Sequence, residues 1–182
     1  KASRNIVIDT ANISTTAGDV ILWANSNDND DGMVFLDDAT IETSGGHLWV
    51  GGGVQSATAW NGLTVGDGYA VGNATLSSGI SLRTITVETD GGNVAFYGKS
   101  LDGSQTSDNF GFGTYMKGIR LQSGNTIDSG AGTIYLKGIA RGTTGATNGV
   151  EFSDPGNDLI QSANTTADAI YIDGQATSNP AN

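Results

Sequence analysis

Five segments of this chain share one pattern, a pair of small or polar residues and then apolar residues at alternate positions: GDVILWA, GHLWVGG, GNVAFYG, GTIYLKG and DAIYIDG. A period of two places alternate side chains on one face of a strand. This first repeated strand therefore points Val20, Leu48, Val94, Ile134 and Ile170 inward in one row, and Leu22, Val50, Phe96, Leu136 and Ile172 in the next. A second family, GMVFLD, GISLRT, GIRLQS and GVEFSD, follows the same rule. Its expected inward pairs are Met33 and Phe35, Ile80 and Leu82, Ile119 and Leu121, and Val150 and Phe152, and Ile6 and Ile8 of IVID near the start fit too. A third, shorter strand carries an apolar residue and then, two positions on, Thr or Ser: Ile13 and Thr15, Ile41 and Thr43, Val87 and Thr89, Ile127 and Ser129, Ile160 and Ser162.

Gly18, Gly46, Gly92, Gly132 and Asp168 mark equivalent points, and their spacing is irregular until the segments between the first and second strand families are removed. Those segments, 24–31, 51–78, 98–117 and 138–148, differ in length; what remains is a unit of roughly 20 residues, 25 in the last. Three short strands per unit, each pairing with its equivalent in the next, describe an all-β chain wound as a parallel β-helix, a solenoid of about five rungs. The reading makes 1–182 one β-helix segment, with 51–78 and 98–117 as long inserted loops extruding from one edge. A β-sandwich is the rival, although its strands would not need the same three-part order in successive units. The first residues already read as strand, so a segment of a longer chain is expected, with any targeting signal elsewhere.

Composition narrows the chemistry. With 28 Gly and 2 Pro among 182 residues, the chain favours turns and strands over helices. Cys is absent and His47 is the single histidine, which removes disulfides, thiol catalysis, Cys or His zinc sites and any Ser-His-Asp triad that His47 does not serve. A net charge of −11 disfavours a nucleic-acid partner, and no apolar run is long enough to span a membrane as a helix.

Rungs such as DDGMVFLDDATIETSGGHLWVGGG and KGIRLQSGNTIDSGAGTIYLKG resemble the repetitive β-helical stalks of filamentous-haemagglutinin-like bacterial exoproteins, large surface adhesins often exported by two-partner secretion. The likeness covers nearly the whole chain outside the long loops. It implies a secreted or cell-surface location in a bacterium and a structural or adhesive role.

Several residues are candidates for contact with a ligand. Between the inward residues of the first strand family lie Ile21, Trp49, Ala95, Tyr135 and Tyr171, with Trp23 and Tyr97 in the adjacent outward register. Such a stripe suits the C–H faces of sugar rings; the competing reading is that the long loops fold back and bury it. Those loops hold Trp60, Tyr69, Phe110, Phe112 and Tyr115, expected to build a small lobe that either caps the stripe or forms a pocket.

Asn27, Asn29 and Asp31, followed by Gly32, match the alternate oxygen ligands and tight-turn glycine that open many calcium loops. The bidentate acid of an EF-hand would fall at Asp38, where a strand is expected instead of a helix, and a solvated acidic turn is the competing reading. Glu42, Glu88 and Asp128 stack like charges on the third strand family, a place for a bridging cation or for bare carboxylates. Arg120 and Glu151 form an opposite-charge pair expected at the surface.

An enzyme is not expected. Polysaccharide-cleaving β-helices cluster carboxylates with basic residues or calcium, and only Arg4, Arg83, Arg120 and Arg141 supply guanidinium groups here. His47 reads as a surface polar residue, and the sequons at Asn12, Asn73 and Asn164 are what chance yields in such a composition. The leading function is a non-enzymatic structural segment of a large extracellular adhesin or filament protein, needing no cofactor unless calcium binds, with like chains as partners. The alternative is a module binding neutral glycans through the outward aromatics and long loops. A polysaccharide-cleaving enzyme comes third.

Overall fold

The computed structural model describes residues 1–103, 116–142, 147–153 and 157–178, with only the backbone of 55–58 and 178. The described residues form strands and turns, with no helix. In chain order the strands fall into triplets. The first is β1 (Ile6–Asp9), β2 (Asn12–Ser14) and β3 (Val20–Trp23). The second is β4 (Val34–Asp37), β5 (Thr40–Glu42) and β6 (Leu48–Trp60), followed by two extra strands, β7 (Leu63–Gly68) and β8 (Ala70–Val71). Then come β9 (Ile80–Arg83), β10 (Thr86–Glu88) and β11 (Val94–Lys99), and β12 (Met116–Gln122), β13 (Thr126–Asp128) and β14 (Ile134–Gly142). The last triplet is β15 (Thr147–Phe152), β16 (Leu159–Gln161) and β17 (Ile170–Ser178).

Each position in the triplet builds its own sheet. The orders are β1-β4-β9-β12-β15, β2-β5-β10-β13-β16 and β3-β6-β11-β14-β17, and every pairing along them is parallel. The third sheet also carries β7, antiparallel to β6, and β8, parallel to β11. Registers on the first and third strand families are those expected: Leu22, Val50, Phe96, Leu136 and Ile172 align, as do Ile13, Ile41, Val87, Ile127 and Ile160. One core gathers side chains from all three sheets, among them Leu36, Ile41, Val50, Leu82, Val87, Phe96, Leu121 and Leu136.

One expected inward pair is shifted by a residue. Val34 and Leu36, not Met33 and Phe35, align with Ile80 and Leu82 and enter the core. Met33 and Phe35 instead bury against Leu76 in a separate cluster on the other side of the strand. All four residues of MVFL are apolar, so either register satisfies a period of two, and a slip of one exchanges the faces. Packing of the 51–78 segment on the outer face decides the choice.

The turn between the second and third sheets explains two sequence marks. The hydroxyl of Thr15 donates to the carbonyl of Gly18 at 2.6 Å, Thr89 to Gly92 at 2.5 Å and Ser129 to Gly132 at 2.9 Å, while Thr43 donates to Gly46 in a short bond. Thr43, Thr89 and Ser129 are fully buried, so each hydroxyl needs this partner. A Cβ added at Gly46, Gly92 or Gly132 would collide with the carbonyl oxygen of the equivalent glycine one triplet earlier. Glycine recurs there because successive turns stack backbone on backbone. In the last triplet Ser162 donates to Gly132 at 2.7 Å, and the extra residues up to Asp168 leave the pattern.

The outer triplets are less covered. β1, β2 and β3 lie at one edge of each sheet and β15, β16 and β17 at the other. At the latter, Phe152 and Ile172 keep 45% and 47% of their surface exposed, and Leu159 and Ile170 are exposed as well.

Candidate functional site

The expected stripe exists as a row in register: Ile21, Trp49, Ala95, Tyr135 and Tyr171 are successive neighbours across β3, β6, β11, β14 and β17. The structure divides it. Trp23 and Trp49 are buried, Trp49 to 1%, while Tyr135 and Tyr97 are half-buried and Tyr171 is 48% exposed. What covers the first half is a β-hairpin. β6 runs beyond the core through Gly51, Gly52 and Gly53, turns at Asn61 and Gly62 with φ of 48° and 80°, and returns as β7. Segment 51–78 is thus largely strand rather than loop. The Asn-Gly dipeptide is a strong hairpin signal because both turn residues need positive φ, and it was there to be read.

Glycine lets the hairpin lie close. A Cβ at Gly66 would collide with the Gly52 carbonyl of β6 and one at Gly52 with the carbonyl of Tyr69, and the Trp23 indole donates from Nε1 to the Gly53 carbonyl at 2.8 Å. Val65 of β7 closes over Trp23, Trp49 and Ala95, with Ile21, Trp60, Leu63, Tyr97 and Tyr135 packed around them.

Beside this cluster a cleft of about 180 Å³ opens between the hairpin and the third sheet. Its lining includes Trp49, Trp60, Tyr69, Tyr97 and Val65, with Asp67 and Lys137 as the charged groups. The rings brace one another: Trp49 and Tyr97 have centroids 6.2 Å apart, and Tyr69 meets Tyr97 edge-on at 6.3 Å and 85°. Trp60 is held by an edge contact at 5.7 Å from His47, whose Nδ1 accepts the backbone N–H of Asn93 at 2.8 Å. His47 is therefore half-buried and positions an aromatic ring. Burial, with smaller contributions from Tyr135 and Tyr69, raises the Tyr97 phenol above its ordinary value and keeps it a neutral donor. Of the six expected contact residues, the cleft joins Trp49, Trp60 and Tyr97; Trp23 lies beneath the hairpin, and Tyr135 and Tyr171 pair with each other at 6.1 Å farther along the row. Tyr69 was expected in the lobe, whereas Lys137 was not singled out. Phe110, Phe112 and Tyr115 lie outside the described residues.

The acidic turn is already engaged. The Asp31 carboxylate meets Arg4 at 2.5 Å and accepts from Asn73 Nδ2 at 2.9 Å, and Asp30 lies 3.4 Å from Lys99. Asn29 donates its backbone N–H to the Asn25 side chain at 3.2 Å, and Asn27 is exposed. A calcium ion on Asn27, Asn29 and Asp31 would compete with the Arg4 guanidinium. No group of three or more His, Cys, Asp or Glu side chains placed to hold a metal occurs among the described residues. Glu42, Glu88 and Asp128 do stack in register, and Asp128 accepts from Gln161 at 2.6 Å.

The Arg120–Glu151 pair, expected at the surface, is largely buried and includes a third member. Lys117, 1% exposed, forms a short ion pair with Glu151, and Arg120 Nε lies 3.4 Å from the same carboxylate. Lys117 fell inside a connecting segment of the sequence, where nothing marked it as buried. No match for the chain is found among protein-family models, curated proteins or solved structures.

Proposed function

We propose that this chain is a non-enzymatic structural segment of a large extracellular or cell-surface protein of the filamentous-haemagglutinin-like kind, wound as a five-rung parallel β-helix and serving attachment or assembly. The observation that carries the reading is the unbroken order of the triplets: each strand pairs in parallel with its equivalents, and no strand changes sheet. In a β-helix such an arrangement extends by adding rungs, each advancing the axis by about 4.8 Å, so that length is the product. The apolar side chains left exposed on β15, β16 and β17 are those that a further rung would cover. Edge strands of this kind recruit like strands unless they are blocked.

Sedimentation velocity over a concentration series tests the assembly role. The chain should self-associate, and Phe152→Lys with Ile172→Lys should keep it monomeric without loss of its circular dichroism spectrum. A chain that stays monomeric throughout, or association that the lysine pair leaves unchanged, overturns it.

A further inference from the structure

We propose that the cleft under the hairpin is a binding site whose ligand is one neutral sugar ring of a glycan. This inference stands on the cleft alone and does not depend on the assembly role.

Size comes first. At about 180 Å³ the cleft is smaller than the roughly 300–1,000 Å³ of pockets that enclose drug-sized molecules. It takes one ring, and its half-exposed walls Trp60, Tyr69 and Tyr97 leave the rest of a longer ligand in solvent. Shape agrees. Tyr69 and Tyr97 stand at 85° to one another, forming a corner. The apolar C–H face of a pyranose can lie on one such ring, leaving its polar rim for Asp67 and Lys137 of the lining. The walls are held before any ligand arrives by ring contacts and by the His47 brace, so little ordering opposes binding.

Charge decides among ring-sized ligands. A cation would gain from the partly exposed rings of Trp60, Tyr69 and Tyr97, but Lys137 stands at the cleft and repels it. An anion is opposed by Asp67 and by the net charge of −11. Hydroxyl groups suit both: they donate to the Asp67 carboxylate and accept from the Lys137 ammonium, and the Tyr97 phenol remains a donor. Lys137 itself lies in register between Tyr97 and Asp173.

The test is titration of the whole chain with methyl glycosides of glucose, galactose, mannose and N-acetylglucosamine, followed by tryptophan fluorescence and by saturation-transfer NMR. Choline and a sulfated disaccharide serve as the charged arms. At least one neutral glycoside should bind, with a dissociation constant of about a millimolar as expected for so small a ligand. Trp60→Ala should weaken it by about tenfold or more, a loss of about 1.4 kcal/mol. Asp67→Asn, which leaves the hairpin packing intact, should also weaken it, and both variants should keep the wild-type circular dichroism spectrum. Absence of neutral-sugar binding, tighter binding of choline or of the sulfated sugar, or full binding by Asp67→Asn would each overturn the proposal.

Discussion

Phe96→Ala removes the largest side chain from the row Leu22, Val50, Phe96, Leu136 and Ile172. Phe96 is fully buried on β11, with its register neighbours Val50 and Leu136 also at 0% exposure. Backbone hydrogen bonds hold the parallel strands on either side, so the space cannot collapse, and the loss comprises lost transfer free energy plus a cavity. Substitutions of this kind cost about 3–5 kcal/mol, and the rigid neighbours place Phe96 in the upper part of that interval. For a chain of this size the melting temperature should fall by about 6–20 °C. Ile172→Ala in the same row is the internal control: nearly half exposed on the edge strand β17, it should cost only about 1 kcal/mol. Urea unfolding of wild type and both variants, followed by far-ultraviolet circular dichroism, separates the two. Equal losses, or a Phe96→Ala loss within about 0.5 kcal/mol of zero, would refute the packing argument.

Gly92→Ala should destabilise the chain far more than Gly91→Ala, since the first drives a Cβ into the Gly46 carbonyl while the second meets open space and suffers only from its φ of 113°; thermal unfolding of the two variants compares them. Glu151→Gln should destabilise the chain because it removes the carboxylate that pairs with the buried Lys117 ammonium and faces Arg120, a loss that urea unfolding measures. Adding Lys117→Met to it should recover part of that loss in a double-mutant cycle. The raised pKa of Tyr97 means that the folded chain holds this proton more tightly than the unfolded one. Its contribution is therefore complete below the ordinary tyrosine value of 10.0 and is lost as pH rises beyond it through Tyr97's own pKa. Tyr97→Phe should then flatten the alkaline fall in stability measured by urea unfolding.

What could be read in the sequence was whatever recurred with a fixed chemical reason. The alignment of Ile13, Ile41, Val87, Ile127 and Ile160 was legible because each is followed by the hydroxyl that ties down a turn, then by a residue that tolerates close backbone approach in the first four. The rows of the first strand family were legible because a pair of small or polar residues precedes the first inward residue in all five segments and fixes the register, even though Ile21, Trp49, Tyr135 and Tyr171 make the other face apolar too. Met33 and Phe35 misled because MVFL has no polar residue to mark a face. The hairpin that carries Trp60 and leads into Tyr69 was hidden in what looked like a variable loop, even though Asn61-Gly62 marked its turn. The Lys117–Glu151 pair and the Arg4–Asp31 pair were illegible for another reason: each joins residues from different triplets or segments, and only the stacking of the sheets brings them together.

The proposed β-helix is tested most directly by a distance along its axis. Ser14 and Gln161 are exposed and occupy equivalent places on β2 and β16, connected in register through Glu42, Glu88 and Asp128. The chain has no cysteine, so Ser14→Cys with Gln161→Cys can be spin-labelled cleanly. Pulsed dipolar spectroscopy should give a distribution centred at about 19 Å, four strand steps of about 4.8 Å, broadened by the label arms. A distribution centred beyond about 30 Å, outside what four parallel strand steps and the label arms can span, would contradict the winding on which the account rests.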